Sequence, residues 1–278
     1  MSPNPHSPIA IPRSSDSLLK ISNLSISFGG LRAVSGFSCE LNRGELLGLI
    51  GPNGAGKTTI FNMISGIYAP TEGEITFWDN RGKVHLIEKK SPAVLNLMGI
   101  ARTFQNIRLF GSLTVEDNVR VALHSRRVAN PIEALFRLKR YRNDEQLMIE
   151  KTGELLSLFN IESKKHELAR NLPYGEQRKL EIARAIASNP TLLLLDEPAA
   201  GMNPQETEEL MKLIAFIRKE FRVTILLIEH DMNLVMGICE RLIVLDYGRI
   251  IAEGLPEEIR QNPAVIKAYL GEEALNGS

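Results

Sequence analysis

The segment GPNGAGKT, Gly51 to Thr58, fits the pattern GxxxxGK[ST] in full. Its glycines let backbone N–H groups turn toward phosphate oxygens, Lys57 adds a point charge at the terminal phosphates, and Thr58 is placed to hold Mg²⁺. Asp196 and Glu197 follow the apolar run Leu192 to Leu195, at the carboxyl end of a buried strand. There Asp196 suits the Mg²⁺ shell and Glu197 suits a general base that polarises an attacking water; the alternative is that both cap Pro198 and the next helix. His230 ends the run ILLIEH, where it either reaches a terminal phosphate or is a hydrogen-bonded histidine at a strand end. Gln105, in ARTFQNIRLF, can set its amide on Mg²⁺ or on water while its loop leads into a different texture of chain.

A second glycine turn, in LPYGEQRKLEIAR from Leu172 to Arg184, opens another helix. One nucleotide does not need two such devices, so this one points to a phosphate held on another subunit. Phe28 stands 23 residues before Gly51 and is either a core aromatic on an edge strand or a ring that stacks on adenine.

The elements that must position these residues follow from periodicity. LLKISNLSISF, from Leu18, alternates as a half-buried strand does, and Val34 to Leu41 does likewise. Leu46 to Ile50 is apolar throughout, as a parallel strand covered on both faces must be, and Thr58 to Ile67 has helical spacing. Gly73 to Trp78 and Val84 to Ile87 read as a small antiparallel region. From Val115 to Leu168 the pattern is helical and charged, which predicts an inserted helical segment. Strands at Leu192 to Leu195, Val223 to Ile228 and Leu242 to Leu245 then alternate with helices at Gln205 to Glu220 and Met232 to Glu240, before a last helix at Asn262 to Leu270.

With 33 basic and 33 acidic residues among 278, no bulk charge draws the chain to nucleic acid or anionic lipid. The run Arg137 to Arg142 (RLKRYR) is either a solvated helix face or a contact for headgroups or a partner. The longest apolar runs fall far short of the roughly 18 residues of a membrane span, so any membrane role is peripheral. Residues 1 to 16, with four prolines among serines, read as a disordered tail. Cys39 and Cys239 lack ligand spacing and read as two buried thiols.

In this order the segments resemble the ATP-binding subunit of an ABC transporter, over nearly the whole chain from Leu18 onward. The resemblance implies an α/β P-loop NTPase core with a mainly parallel sheet, an antiparallel β subdomain and an inserted helical subdomain. It places an ATPase domain at 17–254, the insert at about 106–171 and a C-terminal helical extension at 255–278. It makes Phe28 the adenine-stacking ring and assigns nucleotide contact to Gly51, Pro52, Asn53, Gly54, Ala55, Gly56, Lys57, Thr58 and Thr59. Gln105 becomes the Q-loop, Leu172 to Gln177 the signature, with Tyr174, Gly175 and Glu176 toward the nucleotide. Asp196 and Glu197 become Walker B, Ala200 to Asn203 the D-loop, and His230 the switch histidine. Thr58, Gln105 and Asp196 then serve Mg²⁺, while Glu197, His230 and Gln105 serve hydrolysis.

Within that family, IARTFQNIRLF, LPYGEQRKLEIARA, DEPAAGMNP and PAVIKAYLG are similar to the Liv-type ATPases that power high-affinity uptake of branched-chain amino acids. Such a chain works as one of two ATPase subunits, identical or related, at the cytoplasmic face of the bacterial inner membrane. It drives transmembrane permease subunits and meets a periplasmic solute-binding protein only through them. Related ATPases serve urea or amide uptake and lipopolysaccharide export, and soluble ABC ATPases of translation or DNA repair form a further class. Two departures stand out: Pro173 and Tyr174 replace the usual Ser and Gly, and Asn203 replaces the usual D-loop Asp, so signature contact leans on Gly175 and the N-terminus of its helix.

Overall fold

The computed structural model describes residues 17–124 and 139–276, with side chains described at 17–124 and 145–269. The tail at 1–16 and the side chains of the basic run Arg137 to Arg142 lie outside the described residues. The alternating N-terminal segment forms β1 (Ser17–Phe28), and β2 (Leu31–Asn42) folds back on it. The apolar β3 (Leu46–Ile50) leads through the glycine loop into α1 (Lys57–Ile64). Next, β4 (Glu72–Trp78) and β5 (Val84–Leu86) extend β1 and β2 into an antiparallel sheet of order β2-β1-β4-β5. α2 (Pro92–Met98) and β6 (Ile100–Arg102) precede a helical stretch of α3 (Val115–His124), α4 (Lys139–Leu158) and α5 (Tyr174–Ala187). The alternation then resumes with β7 (Leu192–Asp196), α6 (Pro204–Phe221), β8 (Thr224–Ile228), α7 (Met232–Ile238), β9 (Arg241–Asp246) and β10 (Arg249–Gly254). Two helices, α8 (Pro256–Gln261) and α9 (Pro263–Asn276), follow.

The second sheet runs β10-β9-β3-β8-β7-β6, parallel except where β10 turns back on β9. Every residue of β3, β7 and β8 is buried, because helices cover one face and the antiparallel sheet with α1 covers the other. The period of two splits each apolar run between two cores. Leu46, Ile50, Leu193, Leu195, Ile225 and Leu227 face the core formed with α3 to α7. Leu47, Leu49, Leu192, Leu194, Leu226 and Ile228 face the core shared with β1, β2, β4 and α1. Each buried leucine or isoleucine contributes roughly 1.5–3 kcal/mol relative to exposure, so the register of these strands is strongly fixed. No helix of the described residues is long and apolar enough to cross a membrane.

Gly48 lies in the middle of β3 and lets α7 approach the sheet. A Cβ there would sit 2.5 Å from Leu242 Cδ2, 2.9 Å from Cys239 Sγ and 3.0 Å from Val235 Cγ1. Gly48→Ala is therefore expected to lower unfolding free energy by about 1–3 kcal/mol through overpacking. Urea unfolding checks this, and an unchanged midpoint would show that α7 yields without cost.

Candidate active site

Parallel strands deliver their carboxyl ends to one edge of the sheet, and here β3, β6, β7 and β8 bring Gly51, Gln105, Glu197 and His230 to that edge. The glycine loop after β3 holds Gly51 at φ 144° and Gly56 at φ 101°, conformations that L side chains rarely adopt. Neither position has room for a side chain: a Cβ at Gly51 would strike the carbonyl oxygen of Leu245, and one at Gly56 would lie 3.0 Å from that of Ala33. Gly56 is also the N-cap of α1 and supplies no capping side chain. The buried Lys57 donates to the carbonyls of Gly51 (2.5 Å) and Pro52 (2.8 Å), bracing the loop in the shape that suits a phosphate chain. Thr58, on the first turn of α1, is exposed.

Asp196 ends β7 and is buried, and its Oδ2 accepts from Arg102 Nη2 at 2.7 Å. Arg102 Nη1 donates to Asn62 Oδ1 and Ser65 Oγ, each at 2.7 Å, and its guanidinium lies over Phe61 and Phe104 at 5.6 and 5.0 Å from the ring centroids. A buried carboxylate thus has a well-bonded counter-charge. Glu197 follows at φ 44°, a left-handed conformation that costs a non-glycine residue about 1–2 kcal/mol. The turn aims its carboxylate out of the sheet, where Gln105 Nε2 donates to Oε2 at 2.9 Å. Because β8 neighbours β7, His230 Nδ1 lies 3.6 Å from the same oxygen, close but beyond hydrogen-bond contact.

Just before His230, the fully buried Glu229 binds the loops that follow β7 and β8 together. Its Oε1 accepts from Ala199 N at 2.7 Å, and its Oε2 accepts from His230 N at 3.1 Å and Asp231 N at 3.4 Å. Desolvation raises the pKa of this carboxyl above its ordinary value, and the three N–H donors oppose the shift.

The second glycine turn forms the first turn of α5. Tyr174 is partly exposed, and its hydroxyl donates to the carbonyl of Ala200 at 2.9 Å, joining the turn to the loop after β7. Glu176 is held by Lys164 Nζ at 2.8 and 2.6 Å, which raises the Lys164 pKa. Asn203 caps α6: its side chain accepts from Glu206 N at 3.0 Å and the Glu206 carboxylate accepts from Asn203 N at 2.9 Å, so a helix-starting residue stands where the acid is missing. Phe28 ends β1, an inner strand rather than an edge, and its exposed ring meets Tyr68 edge-on at 5.3 Å. Of the two thiols, Cys239 is buried and Cys39 half-buried; burial pushes Cys39 up to about 12 and raises Cys239 as well.

The structure therefore brings Gln105, Glu197 and His230 together. Arg102 and Glu229 have no motif of their own, and only a charged residue inside an otherwise apolar run, as in TILLIEH, hinted at the second. Among the described residues no cluster of three or more His, Cys, Asp or Glu could hold a metal by itself.

Residues 34–200 match the family model described as ABC transporter, and 249–274 match that of the branched-chain amino acid ATP-binding cassette transporter. The chain is 45% identical to the high-affinity branched-chain amino acid transport ATP-binding protein LivG of Salmonella typhimurium, over 93% of this chain and 99% of that one. It is 44% identical to BraF of Pseudomonas aeruginosa, a protein of the same description, over 92% and 98%. The crystal structure of the ADP conformation of MJ1267, an ATP-binding cassette of an ABC transporter, aligns with a TM-score of 0.77 at 30% identity, over 92% of this chain and 99% of that one.

Glu229 gives the site a pH signature. A carboxyl whose folded-state pKa is raised contributes its full stability below the unfolded-state pKa and loses it as pH rises through the folded value. Urea unfolding between about pH 4 and 8 should show the stability of Glu229→Gln improving relative to wild type as pH rises. A gap that does not change with pH would contradict the raised pKa.

Proposed function

The chain belongs to the ABC transporter family of ATP-binding proteins, and we propose that it is the ATP-hydrolysing subunit of an importer of branched-chain amino acids. The observation that carries the mechanism is the Gln105–Glu197 hydrogen bond beside the phosphate loop. The loop from Gly51 to Thr59 receives the phosphates of ATP, Lys57 faces the terminal ones, and the exposed ring of Phe28 stacks on adenine. Thr58, Asp196 and the amide oxygen of Gln105 are the residues that would hold Mg²⁺, offering oxygen donors of the kind that ion takes. A Mg²⁺ ion held by these residues would supply charge neutralisation to the phosphates. Glu197 accepts a proton from water at a carboxylate oxygen as that water attacks the terminal phosphorus and ADP leaves, and His230 helps hold the geometry.

Tyr174, Gly175 and Glu176 serve the nucleotide of a second ATPase subunit, so two chains close head to tail around two ATP molecules. Residues 17–254 act as the ATPase domain, the insert at about 106–171 passes closure to the permease subunits, and 255–278 form a C-terminal extension. The complex sits at the cytoplasmic face of the bacterial inner membrane, and a periplasmic solute-binding protein delivers the solute. Similarity to LivG and BraF supports branched-chain amino acids over urea or amides.

Glu197→Gln should keep ATP binding and, with its partner ATPase subunit present, whether identical or related, elute as a dimer with ATP and Mg²⁺ in size-exclusion chromatography; monomers only under those conditions contradict the paired site. Lys57→Ala should lose nucleotide binding and, in cells, leucine uptake, whereas leucine uptake at the wild-type rate would refute the assignment.

A further inference from the structure

Arg178, on the second turn of α5, is fully buried. Its Nη1 donates to the carbonyl of Phe104 at 2.8 Å and to Glu181 Oε2 at 2.7 Å. Its Nη2 donates to the carbonyl of Gln105 at 2.8 Å and approaches the Tyr174 hydroxyl at 3.4 Å. A circuit closes from there: Tyr174 donates to Ala200 O, Ala200 N donates to Glu197 O at 3.2 Å, and Gln105 donates to the Glu197 carboxylate.

We propose that Arg178 is a positioning residue for ATP hydrolysis, fixing the backbone at Gln105 so that the amide on Glu197 moves with the helix that carries the signature turn. The proposal rests on the reading of Gln105 and Glu197 given above. Residues 104 and 105 lie outside helix and strand, so their place is set by what their carbonyls bind. A guanidinium has the planar fork needed to hold two neighbouring carbonyls at once, and a lysine ammonium does not. Burial makes the link stiff, because a charge removed from water must keep its partners. Glu181, also buried, strengthens it by accepting from Arg108 N at 3.1 Å, three residues beyond Gln105. A shift of α5 relative to the sheet therefore withdraws the Gln105 amide from Glu197, and a return of α5 restores it.

The test is a double-mutant cycle on the transporter complex containing this chain, with Arg178→Met, Arg178→Lys, Gln105→Ala and the doubles, reading kcat and KM for ATP. Arg178→Met should lower kcat by roughly tenfold or more with KM nearly unchanged, as expected when a reacting group is displaced by about 1 Å. Arg178→Lys should fall between, and adding either Arg178 change to Gln105→Ala should cost little further, the non-additivity that a merely structural role would not produce. If the methionine variant fails to fold, the lysine variant carries the same cycle. Additive losses, or wild-type kcat in the Arg178 variants beside a slow Gln105→Ala, overturn the proposal alone. Wild-type kcat in Gln105→Ala removes the reading on which it rests, and the proposal with it.

Discussion

Parallel pairing sends every strand of a sheet out on the same edge, and this chain's chemistry depends on the adjacency of β3, β8, β7 and β6 that such pairing enforces. β3 ends in the glycine loop, β7 in the acid pair, β8 leads to His230, and β6 leads to Gln105. Residues from four separated parts of the chain meet because leucines and isoleucines on both faces of these strands leave no alternative register. The loops need not be stiff by themselves. Each starts from a strand whose last residue is buried or partly buried.

Buried charge is the second organising feature. Asp196 with Arg102, Glu181 with Arg178, and Glu229 with three backbone N–H groups all lie at the same edge. Each has partners that offset the cost of leaving water, and removing a partner would expose that cost in full. Such groups contribute little net stability but tie loops together at defined distances. Arg102 joins α1 to β7, Arg178 joins α5 to the loop after β6, and Glu229 joins the loops after β7 and β8.

The elements that rest on local patterns were legible in the sequence. GPNGAGKT, the acid pair after four leucines and the histidine after ILLIE each carry their chemistry in adjacent residues, and the alternating or apolar strands announce their burial. Four elements did not show: α2, β6, β10 and α8 have three to seven residues and no clear apolar alternation or helical spacing to mark them. Arg102 and Arg178 stayed hidden for a different reason. Their partners Asp196 and Phe104 are 94 and 74 residues away, so only the folded sheet makes them neighbours. Asn203 shows the converse: the sequence read it as an absent charge, and the structure gives it the work of starting α6.

The central claim is that one nucleotide is held by the glycine loop of one subunit and the signature turn of another. A structure of the Glu197→Gln chain with ATP and Mg²⁺ tests it most directly. The predicted result is a terminal phosphate lying between Lys57 of one subunit and the signature-turn backbone of the other, Gly175 where the partner is an identical chain, with Gln105 beside the substituted residue. A terminal phosphate contacted by a single subunit, or lying away from the loop between Gly51 and Thr58, would contradict it.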